Sequence, residues 1–92
     1  MIIRIMGEGQ FTVPEDLKKE LNSIDNQIVD HVARGDEASF RADLLRLHKT
    51  ILKKGRPLDP NEIRESDVIL PPSDLTIEEA KRIFSGSGLI EG

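Results

Sequence analysis

The chain predicts an α+β fold, in the order strand, strand, helix, helix, strand, helix (ββααβα). Three observations carry that reading. Apolar residues alternate on either side of Gly7-Glu8-Gly9 near the start. Two long stripes at helical spacing follow, separated only by Gly35-Asp36. A short apolar run, "VIL", then stops at Pro71-Pro72 and is followed by a helix-capping signature. The expected domain is single and covers residues 1–92, with an N-terminal β-hairpin, an antiparallel helical hairpin, a short third strand and a C-terminal helix.

The opening stretch, "RIMGEGQFTVP", poses the choice between a ligand-cradling loop and a turn. A phosphate loop needs a following helix N-terminus and a Lys, and Glu8 would repel the anion. The turn is preferred. With Gly7-Glu8-Gly9 as the loop, Ile5 faces Phe11, Ile3 faces Val13, Arg4 faces Thr12 and Met6 faces Gln10. That pairing makes one sheet face wholly apolar, whereas a two-residue loop scrambles both faces. Gly9 is expected to take the left-handed conformation.

Pro14 suits a first helical position, with Glu15 and Asp16 favourably placed near the positive end of the helix dipole. Leu17, Leu21, Ile24, Ile28 and Val32 form the first stripe, and Gly35 ends that helix. Asp36 caps the second, whose stripe is Phe40, Leu44, Leu47 and Ile51, with Leu45 and Leu52 widening it and Gly55 at its end. So short a connection makes the pair antiparallel. Residues 56–67 read as a linker anchored by Leu58 and Ile63, and "VIL" at 68–70 as a strand beside the hairpin. In the last helix Thr76 and Glu79 form a capping box and Leu75 staples onto Ala80. Ile77, Ala80, Ile83 and Phe84 supply its inner face, Gly86 and Gly88 end it, and Leu89 and Ile90 form an apolar plug.

Composition narrows the function. The 92 residues lack Cys, Trp and Tyr, so disulfides, thiolate metal sites and most base-stacking platforms are excluded. A net charge of −4 disfavours nucleic acid as the main partner. No apolar run reaches bilayer-spanning length and the start lacks a signal peptide's basic region, so a cytoplasmic protein is expected. His31 and His48 lie too far apart along the helical hairpin to share a metal and read as half-buried residues flanking the stripes. Asp25, Asp30 and Asp43 read as solvated acids on polar or boundary faces, and the serines as caps and turns. No catalytic, metal or cofactor site is expected.

Charge is segregated. Residues 34–56 hold seven bases against three acids, and residues 59–79 hold seven acids against Arg64 alone. Attraction within the fold or between copies of the chain is the simplest use, and steering of a charged partner the sharper one. The most informative polar feature is Arg46, Lys49 and Lys53, spaced i, i+3, i+7 opposite the apolar face of the second helix. A solvated face accounts for them. Docking to an acidic helix or an anionic membrane is the functional alternative, and three charges are thin for the membrane case.

"MIIRIMGEGQF", "ELNSIDNQIV", "GDEASFRADL" and "SDVILPPSDLTIEEAKRIFSGSGLIEG" together resemble the PspA-associated (PspAA) domain family across essentially the whole chain. The opening hairpin and the final block are the most specific parts. The resemblance implies a small non-enzymatic adaptor or regulator accompanying phage-shock-protein A, a coiled-coil protein of the membrane (envelope) stress response. Any membrane association would then be indirect, through that partner. The family supplies no binding residues to carry over, so Arg46, Lys49 and Lys53 stand as partner-binding candidates on their spacing alone. The rival reading is a small regulatory module with a nucleic-acid contact, and an enzyme ranks third.

Overall fold

The computed structural model describes residues 1–62, 64–84 and 88–90. Strands β1 (Ile2–Ile5), β2 (Gly9–Thr12), β3 (Arg56–Pro57) and β4 (Val68–Leu70) form one sheet in the order β3-β2-β1-β4. Helices α1 (Lys18–Ala33), α2 (Glu37–Lys54) and α3 (Ile77–Ile83) complete the α+β fold. β1 is antiparallel to β2 and parallel to β4. The inward-facing Ile3, Ile5, Phe11, Val13 and Leu70 join the buried stripes of α1 and α2 in one core. Alternation along the strands puts these side chains on the same face.

The hairpin register differs from the expectation by two residues. Ile3 pairs with Phe11, Arg4 with Gln10 and Ile5 with Gly9, in place of Ile5 with Phe11, Arg4 with Thr12 and Ile3 with Val13. A two-residue slip preserves which side chains face inward, so burial cannot distinguish the two registers. The turn decides. Glu8 N–H donates to the Ile5 carbonyl at 2.9 Å, and Gly7, with φ +90, occupies the third position of that turn. A positive φ there calls for glycine. The loop is therefore Met6-Gly7-Glu8, and Gly9 opens β2 with a φ of +113. The Val13 N–H to Met1 carbonyl bond extends the same register outward.

Pro14 precedes a single 3₁₀ turn, Glu15–Leu17, with extended backbone, one position earlier than a first helical residue. Gly35, at φ +71, ends α1 in the left-handed cap, and the Asp36 carboxylate accepts the Ser39 N–H to start α2. α2 ends at Gly55, whose ψ of 170 takes the backbone out of the helix, and glycine fits there because a Cβ would lie 2.7 Å from the Ile51 carbonyl oxygen. The chain then enters β3, inside the stretch read as linker, and pairs with β2 through Phe11–Pro57 and Thr12–Arg56. Pro57 is tolerated because β3 is an edge strand. Gln10 Nε2 donates to the Arg64 carbonyl and to Ser66 Oγ, and Asp67 accepts the Ile2 N–H at 2.7 Å, so the segment before β4 is tied back to the hairpin. The expected docking of Ile63 lies outside the described residues.

β4 pairs with β1 as expected for a strand beside the hairpin. The Thr76–Glu79 capping box forms with both reciprocal bonds, and Leu75 and Ala80 are buried. Phe84 packs edge-to-face on Phe40 at 6.4 Å between centroids. Ile83 is the exception on this helix: it is 38 % exposed, because α3 turns only one narrow face inward over its two turns. Gly88 takes φ +84 and Ile90 is buried, while Gly86 lies outside the described residues.

Candidate functional site

α2 presents two seams on opposite sides. Phe40, Leu44, Leu47 and Ile51 are fully buried on the inner one. Ala38, Ala42, Leu45, Lys49 and Leu52 are exposed on the outer one. Leu45 and Leu52 are 42 % and 43 % exposed and do not widen the core as their composition implied. At roughly 100° per residue, Leu45 is turned more than a quarter circle away from Leu44, too far to share a core face. Their separation by one heptad was a legible signal, and assigning every leucine to the core hid it.

Arg46, Lys49 and Lys53 are all exposed on this outer side. Together with Ala42 and Leu45 they border a shallow groove of ≈ 630 Å³. Arg46 also reaches the neighbouring groove between α1 and α2, where its Nη2 donates to Gln27 Oε1 at 2.6 Å. Among the described residues none of the three cations pairs with a carboxylate, and no ion pair joins residues 34–56 to residues 59–79. The acidic segment spends several of its groups locally instead. Asp59 caps its own turn, Asp67 holds Ile2, and Glu79 closes the capping box. Arg34 and Lys54 of the basic segment pair with Asp30 and Glu20, which leaves Arg46, Lys49 and Lys53 as a cationic strip along α2 that no carboxylate among the described residues pairs with.

The family model of PspA-associated proteins (PspAA) matches residues 1–92. The chain belongs to the PspAA family. No curated protein and no solved structure matches it.

Three polar constellations inside this PspAA protein were read from sequence as solvated or merely flanking. Asp25 is fully buried; its carboxylate accepts the Leu89 N–H at 3.2 Å and the Ile90 N–H at 2.9 Å. Burial pushes its pKa up, and the two N–H donors oppose that shift. Asp43 is also buried, and His31 Nδ1–H donates to its carboxylate across the α1–α2 interface. The partners of both acids come from other elements, so a face-by-face reading of one helix could not see them.

His48 is buried, and its Nε2 has no hydrogen-bond partner among the described residues. Burial pushes its pKa down, against the pull of the Pro71 carbonyl and the Glu8 charge. These groups lie in separate places and serve packing and tethering. Among the described residues no three His, Asp or Glu side chains gather as a metal site, and no helix is long and apolar enough to cross a membrane. Among the described residues, the outer side of α2 combines exposed leucines with cations that pair with no carboxylate.

Proposed function

We propose that this PspAA protein is a non-enzymatic adaptor that binds a coiled-coil protein of the phage-shock-protein A type in the membrane stress response. The family's name ties it to association with PspA. The observation that carries the reading further is the exposed strip of Arg46, Lys49 and Lys53, which no carboxylate among the described residues neutralises. A long acidic-faced helix is a complementary partner, and opposite potentials mainly raise the association rate and fix orientation. The adaptor works without a cofactor, acts in the cytoplasm and reaches membranes only through its partner.

A pull-down with purified PspA-type protein tests this reading. Wild-type protein is expected to be retained, more strongly at low salt than at high salt. The triple variant Arg46→Glu, Lys49→Glu, Lys53→Glu is expected to lose most of the low-salt binding while keeping its fold. Unchanged retention of that variant at both salts would remove the strip from the contact. No retention of wild-type protein would refute the adaptor reading. A steeply salt-dependent affinity for duplex DNA would support the nucleic-acid reading in its place.

A further inference from the structure

We infer that the outer side of α2 is one half of a coiled-coil seam, closed by a single partner helix with acids along one flank. The inference rests on the adaptor reading and specifies how the contact is built. Ala38, Ala42, Leu45, Lys49 and Leu52 follow the 4-3-4-3 spacing of a coiled coil through most of an 18-residue helix. All five are exposed, and Leu45 and Leu52 occupy equivalent positions one heptad apart. The two alanines let a partner backbone come close, and the two leucines serve as knobs.

The charges follow the same frame. Arg46 and Lys53 each come one residue after a seam position and are themselves one heptad apart, so they edge the same flank. Lys49 lies within the seam between the leucines; its stem can cover apolar surface while the ammonium reaches the rim. The other flank is closed to recognition. Arg41 there donates to the carbonyls of Ser73 and Leu75, and His48 is buried. Cationic recognition is therefore one-sided, which fixes how a partner helix must lie. The matching partner carries apolar residues at heptad spacing, with Asp or Glu facing Arg46, Lys49 and Lys53.

Other occupants fit less well. A second copy docked through the same face brings its own Arg46, Lys49 and Lys53 into an already cationic seam. A bilayer would gain chiefly two leucine side chains and three cations, since Lys54 at the groove's edge is paired with Glu20, and that is fewer than the roughly four to eight basic residues that usually hold a protein on anionic lipid.

Binding of the full chain to a purified PspA-type protein, measured by calorimetry, tests the seam. Leu45→Ser with Leu52→Ser is expected to weaken binding at least tenfold at low and high salt alike, because apolar contact is not screened. Arg46→Glu with Lys53→Glu should weaken it mainly at low salt. Met6→Ser with Ile69→Ser alters exposed apolar residues at the sheet and should bind as wild type. Circular dichroism is expected to show all three variants folded.

Wild-type affinity in the leucine pair would overturn the seam while leaving the adaptor reading intact, and a loss confined to the Met6/Ile69 pair would move the contact to the sheet. Absence of any wild-type binding would overturn both. Sedimentation of the chain alone as a dimer that the leucine pair dissolves would assign the seam to a second copy. Leucine-dependent binding to phosphatidylserine vesicles without the partner would assign it to lipid. Either result overturns the inference.

Discussion

The buried carboxylate of Asp25, in the middle of α1, accepts the backbone N–H of Ile90 at 2.9 Å across 65 residues of sequence. The neighbouring Leu89 N–H donates to the other oxygen, so one side chain fastens the segment after α3 to the first helix. Asp25→Ala leaves two N–H groups without their acceptor, and buried unsatisfied groups cost about 1–3 kcal/mol each. We expect a loss of about 2 kcal/mol or more in chemical denaturation. Gly88→Ala should also destabilise, since its Cβ would lie 2.3 Å from Asp25 Oδ2 at a φ of +84. In the Asp25→Ala background the collision disappears while the backbone strain remains. The two losses should therefore sum to more than the double variant shows. Full additivity would mean that the segment is not held by this carboxylate.

Two glycines separate backbone strain from crowding. Gly9 has open space around the Cβ position but a φ of +113, so Gly9→Ala should cost about 1–2 kcal/mol through conformation alone. Gly55 has φ −87, which any residue can adopt, yet its Cβ would meet the backbone oxygens of Ile51 at 2.7 Å and Thr12 at 3.3 Å. Gly55→Ala should therefore force α2 and β2 apart. Faster hydrogen exchange at the amides of β2 and β3 would report it, and the Gly9 variant should leave β3 protected. Equal exchange in both variants would discard the distinction.

The contrast between these glycines also marks what the sequence could reveal. Inner stripes, the Asp36 cap and the Thr76 capping box were legible because each is a local pattern with one physical use. The hairpin faces were legible too, but not the register, since shifting Ile5 from Phe11 to Gly9 leaves every inward residue inward. β3 was hidden because Arg56-Pro57 has neither alternation nor β-propensity and is held by its β2 neighbour. Asp25 looked solvated because its partners are at the far end of the chain. The strip of Arg46, Lys49 and Lys53 was visible from spacing; the exposure of Leu45 and Leu52 was signalled by their heptad separation but masked, since leucines are by default assigned to a core.

His48 should make the protein sensitive to acid. Its pKa is lowered by burial, so folding favours the neutral ring. Its contribution is fully present above the ordinary imidazole value of about 6.5 and is lost as pH falls through the lowered folded value. Asp25 acts in the opposite sense. Its raised pKa makes its contribution largest below the ordinary carboxylate range, and that contribution is lost as pH rises through the folded value. His48→Leu removes the first effect and retains the second. Melting of wild type and variant at about pH 7.5 and about pH 5.5 should show a smaller acid-induced drop for the variant. Parallel curves would exclude His48 as the source.

Leu44 and Leu45 are adjacent in sequence and opposite in surroundings: the first is fully buried and the second 42 % exposed. Leu47 and Leu52 repeat the contrast farther along α2. Leu44→Ala and Leu47→Ala should each cost about 2–5 kcal/mol, the range for truncating buried leucines. In a domain of this size each 1 kcal/mol lowers Tm by about 4–8 °C, so both variants should melt at least 8 °C lower, to order of magnitude. Leu45→Ala and Leu52→Ala should stay within about 1 kcal/mol of wild type, because they lose less buried area and alanine favours the helix. Thermal melts of the four single variants decide the point. If Leu45→Ala falls as far as Leu44→Ala, the outer side of α2 is already covered within the fold and has no seam to offer. If only the inner pair falls, the outer leucines are free of any task in folding, as a docking surface requires.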